Sequence, residues 1–386
     1  MTAAPTNGML RLIGRDGVTR ETALNPAPDY APGRPASRVA YAAAHVVPRT
    51  TAENVPGAPA DLDWDATLAF RHHIWSRGLG VADAMDTAQR NMGLDWSACT
   101  ELIRRSAAEA ASVGGAIVVG VNTDHLTDPV VSIDTIIDGY LAQLAVAEDA
   151  GAGAVLMASR HLARSATSAD DYERVYRRVL SRAGAPVVLH WLGPAFDDQL
   201  TGYWGSTDVP TATDTVLRII EEHTERIAGI KMSLLDADAE RAVRARLPEG
   251  VRMFTGDDFN YVSLIEEGSD ALLGAFAALA PSASAALTAL DAGDTERYRA
   301  ILGPTEALSR HLFAAPTAYY KTGVAFMSWL NGHQSAFQLV GGLHAGRSLV
   351  HLSEIVRLAN ACGALERPEL AADRWHGMLA VNGIRA

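Results

Sequence analysis

Short apolar segments alternate with longer amphipathic segments along most of this 386-residue chain. The apolar segments read as buried parallel strands and occupy residues 38–47, 79–85, 116–122, 153–158, 186–191, 227–233, 251–255 and 271–276. Helical patterns lie between them, at residues 96–111, 133–150, 170–182, 212–223 and 258–267. Eight strand–helix units in about 250 residues predict an α/β fold, a (β/α)8 TIM barrel. An open doubly wound sheet is the alternative, but no glycine-rich phosphate loop follows any of the strands.

The two ends of the chain have different patterns from the middle. Residues 9–19 suggest a small hairpin with an Asp16–Gly17 turn, and several prolines then form a stiff linker. After residue 290 the pattern is helical only, at 296–313, 318–330 and 352–362. We therefore predict a short N-terminal extension (1–35), a barrel (36–293) and a C-terminal helical domain (294–386).

Charge and composition exclude several classes of protein. The net charge of -12 argues against nucleic acid as a partner, because such binding needs basic patches. The longest apolar stretch, residues 271–290, is interrupted by Pro281 and is too weakly hydrophobic for a membrane span. The first residues lack a signal-peptide pattern, and with only Cys99 and Cys362 we expect no disulfide framework. The expected location is the cytoplasm.

Lysine is nearly absent from this chain. Only Lys231 and Lys321 are lysines among 33 Lys and Arg residues, so arginine supplies almost every cation. A GC-rich genome that favours arginine codons would explain the bias. A lysine that remains can mark a position where guanidinium fails, because a desolvated lysine can lose its proton and arginine cannot.

Polar residues follow the predicted strands, where the active sites of TIM barrels lie. This ring consists of His45, Asp86, Thr87, Gln89, Asp124, His125, Ser159, Arg160, His161, His190, Lys231, Gly256, Asp257 and Asp258. Asp257 and Asp258 are predicted to cap the next helix. His72 and His73 are predicted to lie at the surface of the first outer helix, and Tyr319 and Tyr320 to serve packing.

Lys231 lies in the sixth predicted strand, between Ile230 and Met232. Strand alternation places those two side chains on one face and the lysine on the other, so Lys231 points into the barrel if the apolar pair faces the helices. There its amine would lose hydration and become a neutral nucleophile for a carbonyl group. The alternative is a lysine that extends to solvent or pairs with Asp257 or Asp258.

Several segments resemble the dihydrodipicolinate synthase / N-acetylneuraminate lyase superfamily, in order from about residue 38 to 365. Gly229-Ile-Lys-Met-Ser resembles the segment that carries the family's Schiff-base lysine, and Thr255-Gly-Asp-Asp resembles its Ser-Gly-Asp-Asp. Ala185-Pro-Val-Val-Leu-His resembles its Pro-hydrophobic-Leu-Tyr segment, and Ala315-Pro-Thr-Ala-Tyr-Tyr-Lys resembles its Asn-Pro-Ile-x-x-Lys helix. The resemblance implies an N-terminally extended branch of that superfamily and assigns imine formation to Lys231.

Two departures from the family pattern change the expected chemistry. His190 stands where the family has its catalytic tyrosine, and imidazole can also carry protons near neutral pH. The family's carboxylate-binding Gly-Thr-Thr-Gly-Glu loop corresponds to Asp86-Thr87-Ala88-Gln89-Arg90, in which only Thr87 is kept. Because Asp86 would repel a carboxylate, we expect pyruvate to bind poorly. The expected substrate is instead a keto-sugar or a similar polyhydroxylated carbonyl compound.

The resemblance thus implies a class I lyase of the aldolase type, without metal or other cofactor, that forms a homodimer or homotetramer. Lys231, His190 and Thr87 are the predicted catalytic residues. The predicted substrate-binding residues are Asp86, Gln89, Asp124, His125, Ser159, Arg160 and Gly256. Two alternatives remain: a metal-dependent isomerase or lyase using His45, Asp86, Asp124, His125, His161 and His190, and a sugar-binding barrel without catalysis.

Overall fold

The computed structural model describes residues 8–384. An antiparallel hairpin comes first, formed by β1 (Met9–Ile13) and β2 (Thr19–Ala23). Eight parallel strands then close into a barrel, with the last strand paired to the first. They are β3 (Ala40–Ala43), β4 (Gly80–Asp83), β5 (Ile117–Val121), β6 (Gly153–Leu156), β7 (Val187–Leu192), β8 (Ile227–Ser233), β9 (Arg252–Thr255) and β10 (Asp270–Leu273). The predicted TIM barrel is confirmed.

Helices follow the barrel strands and cover them. They are α1 (Trp64–Ser76), α2 (Trp96–Val113), α3 (Ile133–Asp149), α4 (Arg160–Ser165), α5 (Ala169–Leu180), α6 (Val209–Glu222), α7 (Ala237–Arg244), α8 (Tyr261–Glu266) and α9 (Ala275–Asp291). The C-terminal helices are α10 (Thr295–Leu302), α11 (Thr305–Leu312), α12 (Tyr320–Leu330), α13 (Leu349–Cys362) and α14 (Pro368–Val381). Asp or Ser side chains cap many of these helices by accepting backbone N–H groups that lack helical partners, as Asp63 does for α1 and Ser132 for α3.

The barrel interior is filled by small and medium apolar side chains. One buried cluster contains Ala43, Ala82, Val118, Val155, Met157, Val188, Phe254 and Leu272. These residues alternate along their strands with residues that face the helices, as a packed barrel requires. This packed layer forms the floor beneath the polar ends of the strands.

The structure corrects three details of the sequence prediction. The helix predicted at 296–313 is wrong, because α10 and α11 are separate helices that meet at Gly303 and Pro304. Proline lacks a backbone N–H and cannot continue the ladder of α10. The strand predicted at 271–276 ends at Leu273, where the chain turns into α9. Helix α14 was not predicted.

The N-terminal hairpin packs on the C-terminal helices. The backbone N–H of Ile13 donates to Ser353 Oγ at 2.6 Å, and the indole of Trp375 donates to the carbonyl of Arg11 at 2.6 Å. Leu10 is fully buried in a cluster that α9 shares with the C-terminal helices. The two ends of the chain thus stabilise one another. Among residues 8–384, no helix combines the length and the hydropathy needed to cross a bilayer.

We propose that the barrel domain ends near residue 293 and predict that it depends on the helices that follow. Ala283 and Leu287 of α9 are buried in one cluster with Leu308, Val324 and Trp375. A chain ending at Asp291 would expose that face of α9 to water, so we expect aggregation or loss of cooperative melting. A chain ending at residue 383, which keeps α14, is the control and should melt like the full chain. A soluble, cooperatively melting protein that ends at Asp291 would contradict the prediction.

Candidate active site

A narrow polar cavity lies at the C-terminal ends of the barrel strands. Its volume is about 10 Å³, which is room for about one water molecule. It is lined by Ala43, Met85, Asp86, Thr87, Leu192, Phe196, Lys231, Ser233, Asp258, Gly274 and Tyr320. Two carboxyl groups, one amine and three hydroxyl groups therefore meet in one enclosed space.

Lys231 lies in β8 with its side chain inside the barrel. Its neighbours Ile230 and Met232 belong to the cluster between strands and helices, so the alternation expected from the sequence is present. Burial lowers the pKa of the Lys231 amine, while the charges of Asp86 and Asp258 partly oppose that effect. The alternative of a lysine that reaches solvent is wrong, since only 8% of the residue is exposed.

Gly256 provides the space through which the Lys231 side chain passes. A Cβ atom at this position would lie 2.8 Å from Lys231 Cε and 2.1 Å from Ser233 Oγ. Its backbone N–H donates to the carbonyl of Met232, which fixes the start of the loop after β9 against β8. Gly256 was predicted to bind substrate; here it lies directly against the lysine.

Asp257 and Asp258 have different surroundings. Asp257 accepts the backbone N–H groups of Phe259 and Asn260, so it stabilises the turn before α8; the predicted cap of the helix itself is wrong, because the N-cap of α8 is Asn260. Asp258 does not cap α8: it accepts the N–H of Ala275, the first residue of α9, at 2.8 Å. Burial raises the pKa of Asp258 to about 7, although that hydrogen bond and Lys231 act in the opposite direction. A buried carboxyl that titrates near neutral pH therefore lies beside the lysine.

Thr87 and Tyr320 form a pair across the cavity. Their side-chain oxygens share a hydrogen bond of 2.8 Å although the residues are 233 positions apart. Burial raises the pKa of the Tyr320 hydroxyl well above its ordinary value, so it remains protonated. Its ring stacks on Phe313 at 4.3 Å between centroids and meets the edge of Phe196. The tyrosine comes from α12, so a C-terminal helix completes the cavity.

Two buried arginines hold the segment that carries Asp86 and Thr87. Arg71 of α1 donates to both carboxylate oxygens of Asp83, at 3.0 and 2.8 Å, and to the carbonyl of His45 at 2.6 Å. Arg90 donates to the carbonyls of Ala84 and Gly120 and to the carboxylate of Asp124.

Between these anchors the backbone adopts left-handed conformations at three residues other than glycine, Ala84, Gln89 and Asn91. The arginine hydrogen bonds hold this segment in that conformation.

His190 lies below the cavity, beside Lys231 on the neighbouring strand. It is fully buried, and burial together with the lysine charge keeps its pKa well below the ordinary value. Its Nε2 lies 3.4 Å from Ser233 Oγ, and Ser233 in turn lines the cavity. Its catalytic role remains a prediction, and any proton that it exchanges with the cavity would pass through Ser233.

The remaining predicted binding residues surround the cavity without lining it. Gln89 donates to the carbonyls of Met92 and Val340, and Asp124 is paired with Arg90. His125 contacts Gln143, Ser159 caps α4, and Arg160 pairs with Asp197. Each of these five side chains therefore already has a hydrogen-bond or ion-pair partner within the protein. Their contact with substrate remains a prediction.

The ligands of the metal-dependent alternative are not gathered. Among residues 8–384, only His73, His333 and Glu366 bring three ligand atoms within 4.8 Å of one another. His45 contacts Gln334, and His161 contacts Thr123. No observation in the described part of the chain favours a catalytic metal made from the strand-end residues.

Lys321 is the second buried amine. It lies on α12, and its Nζ is 4.7 Å from the centre of the Tyr320 ring, near Met92 Sδ. Burial lowers its pKa to about 8, against the charges of Asp86 and Asp197. The tyrosine ring separates this amine from the cavity, which Lys321 does not line.

The sequence matches one protein family, described as "Protein of unknown function (DUF993)", over residues 10–384. The chain belongs to the DUF993 family. No curated protein matches it. This DUF993 protein is similar in structure to dihydrodipicolinate synthase from Aquifex aeolicus, with 16% identity, a TM-score of 0.64, and coverage of 84% of this chain and 97% of that one.

It is also similar to dihydrodipicolinate synthase from Thermotoga maritima, with 15% identity, a TM-score of 0.63, and coverage of 86% and 100%. Dihydrodipicolinate synthase DapA-2 from Bacillus anthracis is similar as well, with 16% identity, a TM-score of 0.61, and coverage of 85% of this chain and 98% of that one. The DUF993 chain therefore has the fold of the dihydrodipicolinate synthase / N-acetylneuraminate lyase superfamily, as its sequence segments indicated.

Sequence reasoning missed several residues that line the cavity of this DUF993 protein, among them Ser233, Tyr320 and Phe196. Ser233 is two positions from Lys231 on the same strand, so strand alternation was a usable signal. Tyr320 was assigned to packing, and its position next to Lys321 in the family-like segment was the signal available. Phe196 lies in an irregular loop whose path no local pattern indicates.

We predict that Gly256→Ala impairs the lysine without unfolding the protein. The new methyl group would displace Lys231 Cε and Ser233 Oγ, and such overpacking typically costs about 1–3 kcal/mol of stability. Any activity that needs Lys231 should fall by at least about tenfold, because small misplacement of a reacting group is costly.

Gly377→Ala is the matched control, since a Cβ atom there meets nothing within 4 Å and Ala favours helix α14. Thermal melting and turnover measured together would show whether the loss is specific to Gly256. Unchanged turnover in Gly256→Ala would contradict this geometry.

Proposed function

We propose that this protein is a class I lyase of the aldolase type in which Lys231 forms an imine with a carbonyl substrate. The observation that carries the proposal is the buried Lys231 amine in a polar cavity at the strand ends, beside Asp258 and the Thr87–Tyr320 pair. The fold shared with dihydrodipicolinate synthases supports it. In that reaction class the lysine serves as an electron sink once it has condensed with the substrate.

Imine formation begins with a neutral amine. Because burial lowers the pKa of Lys231, a larger fraction of the amine is unprotonated near neutral pH than in water. Its nitrogen forms a bond to the carbonyl carbon, and the carbonyl oxygen takes a proton to become a hydroxyl. That hydroxyl leaves as water after a second proton transfer, which yields the iminium ion.

The iminium nitrogen then accepts the electron pair of the bond that breaks. A base removes the proton of the substrate's β-hydroxyl group, the bond between the α- and β-carbons breaks, the second fragment leaves as an aldehyde, and an enamine remains on Lys231. A proton added to the enamine carbon and hydrolysis by one water release the ketone product and the free amine. The cavity must therefore deliver and remove protons at atoms close to Nζ.

Asp258 and Tyr320 are suited to these proton transfers. With a pKa of about 7, Asp258 can donate or accept a proton at neutral pH. Tyr320 stays protonated and can donate to the developing hydroxyl while Thr87 holds its oxygen in place. We assign to Tyr320 the proton-carrying role that the resemblance alone had given to His190.

The lining of the cavity favours a hydroxylated, uncharged substrate end. Asp86, Ser233 and Thr87 can bind hydroxyl groups, and no arginine among residues 8–384 lines the cavity. Arg160, the one arginine among the predicted binding residues, is paired with Asp197 at 2.6 Å. These contacts support a keto-sugar or related polyhydroxylated ketone rather than pyruvate. Because the cavity holds only about 10 Å³, such a substrate must displace Phe196 or its loop.

Borohydride trapping tests the proposal. Sodium borohydride added during incubation with a panel of keto-sugars, dihydroxyacetone being the smallest, should reduce the imine and attach the substrate irreversibly. The chain contains only two lysines, so peptide mass mapping distinguishes two ε-amino groups. Label and turnover should both be lost in Lys231→Met, which removes the amine but preserves much of the volume.

Lys321→Met is the matched control for this experiment, because Lys321 is also buried and also has a lowered pKa. It should keep the label on Lys231. A label on Lys321, or activity in Lys231→Met, would overturn the imine assignment. Treatment with a chelator should leave the labelling of the wild-type protein unchanged.

Tyr320→Phe separates proton transfer from imine formation. Loss of the hydroxyl should reduce kcat by about 10²–10⁴-fold, the typical contribution of a general acid or base. Trapping on Lys231 should persist, although more slowly. Tyr319→Phe is the control, because this half-buried neighbour does not line the cavity. Equal kcat values for the two variants would exclude the proposed role of Tyr320.

A further inference from the structure

Two histidines and one glutamate meet on the side of the barrel. His73 lies near the end of α1, His333 follows α12, and Glu366 lies between α13 and α14. Their side chains are mostly buried, with 15%, 15% and 20% of their surfaces exposed. Three separate segments thus contribute one potential ligand each, and the chain gives them no common role in the candidate active site.

Two distances within this cluster are close to those of a tetrahedral zinc site. Glu366 Oε1 lies 3.0 Å from His333 Nε2 and 3.5 Å from His73 Nε2. Zinc bonds of about 2.0–2.2 Å at tetrahedral angles place neighbouring ligand atoms about 3.3–3.6 Å apart. All three ligand atoms lie within 4.8 Å of one another, so the three side chains could bind one ion between them after side-chain adjustment.

The surroundings hold both rings in this orientation. The rings of His73 and His333 lie 4.2 Å apart, and both contact Phe70. Glu366 also lines a cavity of about 140 Å³, which gives an ion and a water molecule a path from solvent. Zinc sites with three protein ligands and water in the fourth position are known, although structural sites more often have four protein ligands.

The cluster is separate from the Lys231 cavity. None of its three side chains lines that cavity, although Phe70, which contacts both histidine rings, also contacts His45 after β3. His333 and Glu366 belong to the C-terminal part of the chain. An ion here would join that part to the first barrel helix and would not take part in the chemistry at Lys231.

We propose that His73, His333 and Glu366 form a structural zinc site that ties α1 to the C-terminal helices. Imidazole nitrogen and carboxylate oxygen are both donors that Zn²⁺ accepts, and the fourth position would hold water. In the competing arrangement, both histidines carry a proton on Nε2 and donate to Glu366, with no ion bound.

Zinc binding to tag-free protein tests this site. The protein is treated with a chelator, dialysed and titrated with Zn²⁺ by calorimetry, and melting is recorded with and without the ion. We expect one ion per chain and a higher melting temperature when zinc is bound. Substitution with Co²⁺ should give the intense visible absorption of a tetrahedral site.

Loss of a residue that only hydrogen-bonds to a metal ligand typically lowers metal affinity by ~10–100-fold. Because His73 and Glu366 would bind the ion directly, His73→Gln and Glu366→Gln should each lower zinc affinity by more than that. His72→Gln is the matched control. His72 is next to His73 on α1 and pairs with Glu109 at 2.8 Å, but among the described residues no third potential metal ligand joins that pair. This variant should bind zinc normally. Melting without the ion shows whether each variant is folded.

The outcomes are distinct. Stoichiometric binding that is lost in the two ligand variants and kept in His72→Gln supports the site. No binding by the folded wild-type protein, or equal affinity in all variants, overturns it and leaves only the hydrogen-bonded arrangement. Neither result depends on the imine mechanism, because none of these measurements uses turnover.

Discussion

The candidate active site depends on the buried ion pair between Arg71 and Asp83. Both side chains are fully buried, and Asp83 accepts two hydrogen bonds from the guanidinium and one from the N–H of Ala84. Removal of either partner would leave an unpaired buried charge, which typically costs about 3–5 kcal/mol. The pair fixes the end of β4, and Arg90 fixes the segment beyond it. Asp86 and Thr87 owe their positions to these two arginines.

The C-terminal helices supply part of the cavity that lies at the ends of the barrel strands. Tyr320 reaches the cavity from α12, and Phe313 and Phe196 hold its ring in place. The proposed zinc site would join the same helical segment to α1 on another side of the barrel. In this arrangement the helices that follow the barrel are part of the site, since the group paired with Thr87 belongs to them.

The two lysines show how burial alone does not define a catalytic amine. Burial lowers the pKa of both. Lys231 lines the cavity next to Asp258, whereas the ring of Tyr320 lies between Lys321 and that space. Position in the cavity lining, rather than a lowered pKa, is what distinguishes them.

The sequence by itself determined the barrel, because eight apolar segments separated by helical ones leave few other folds. It also determined that Lys231 faces away from Ile230 and Met232, since strand periodicity fixes the face of each side chain, while the structure decided that this face is the barrel interior. Only the tertiary structure decided which polar residues line the cavity. Gln89 and Asp124 are strand-end residues like Asp86, yet their polar atoms bind other protein groups. Likewise, no local pattern could pair Thr87 with Tyr320 or bring His73 to Glu366, because contacts between distant segments depend on how the whole chain packs.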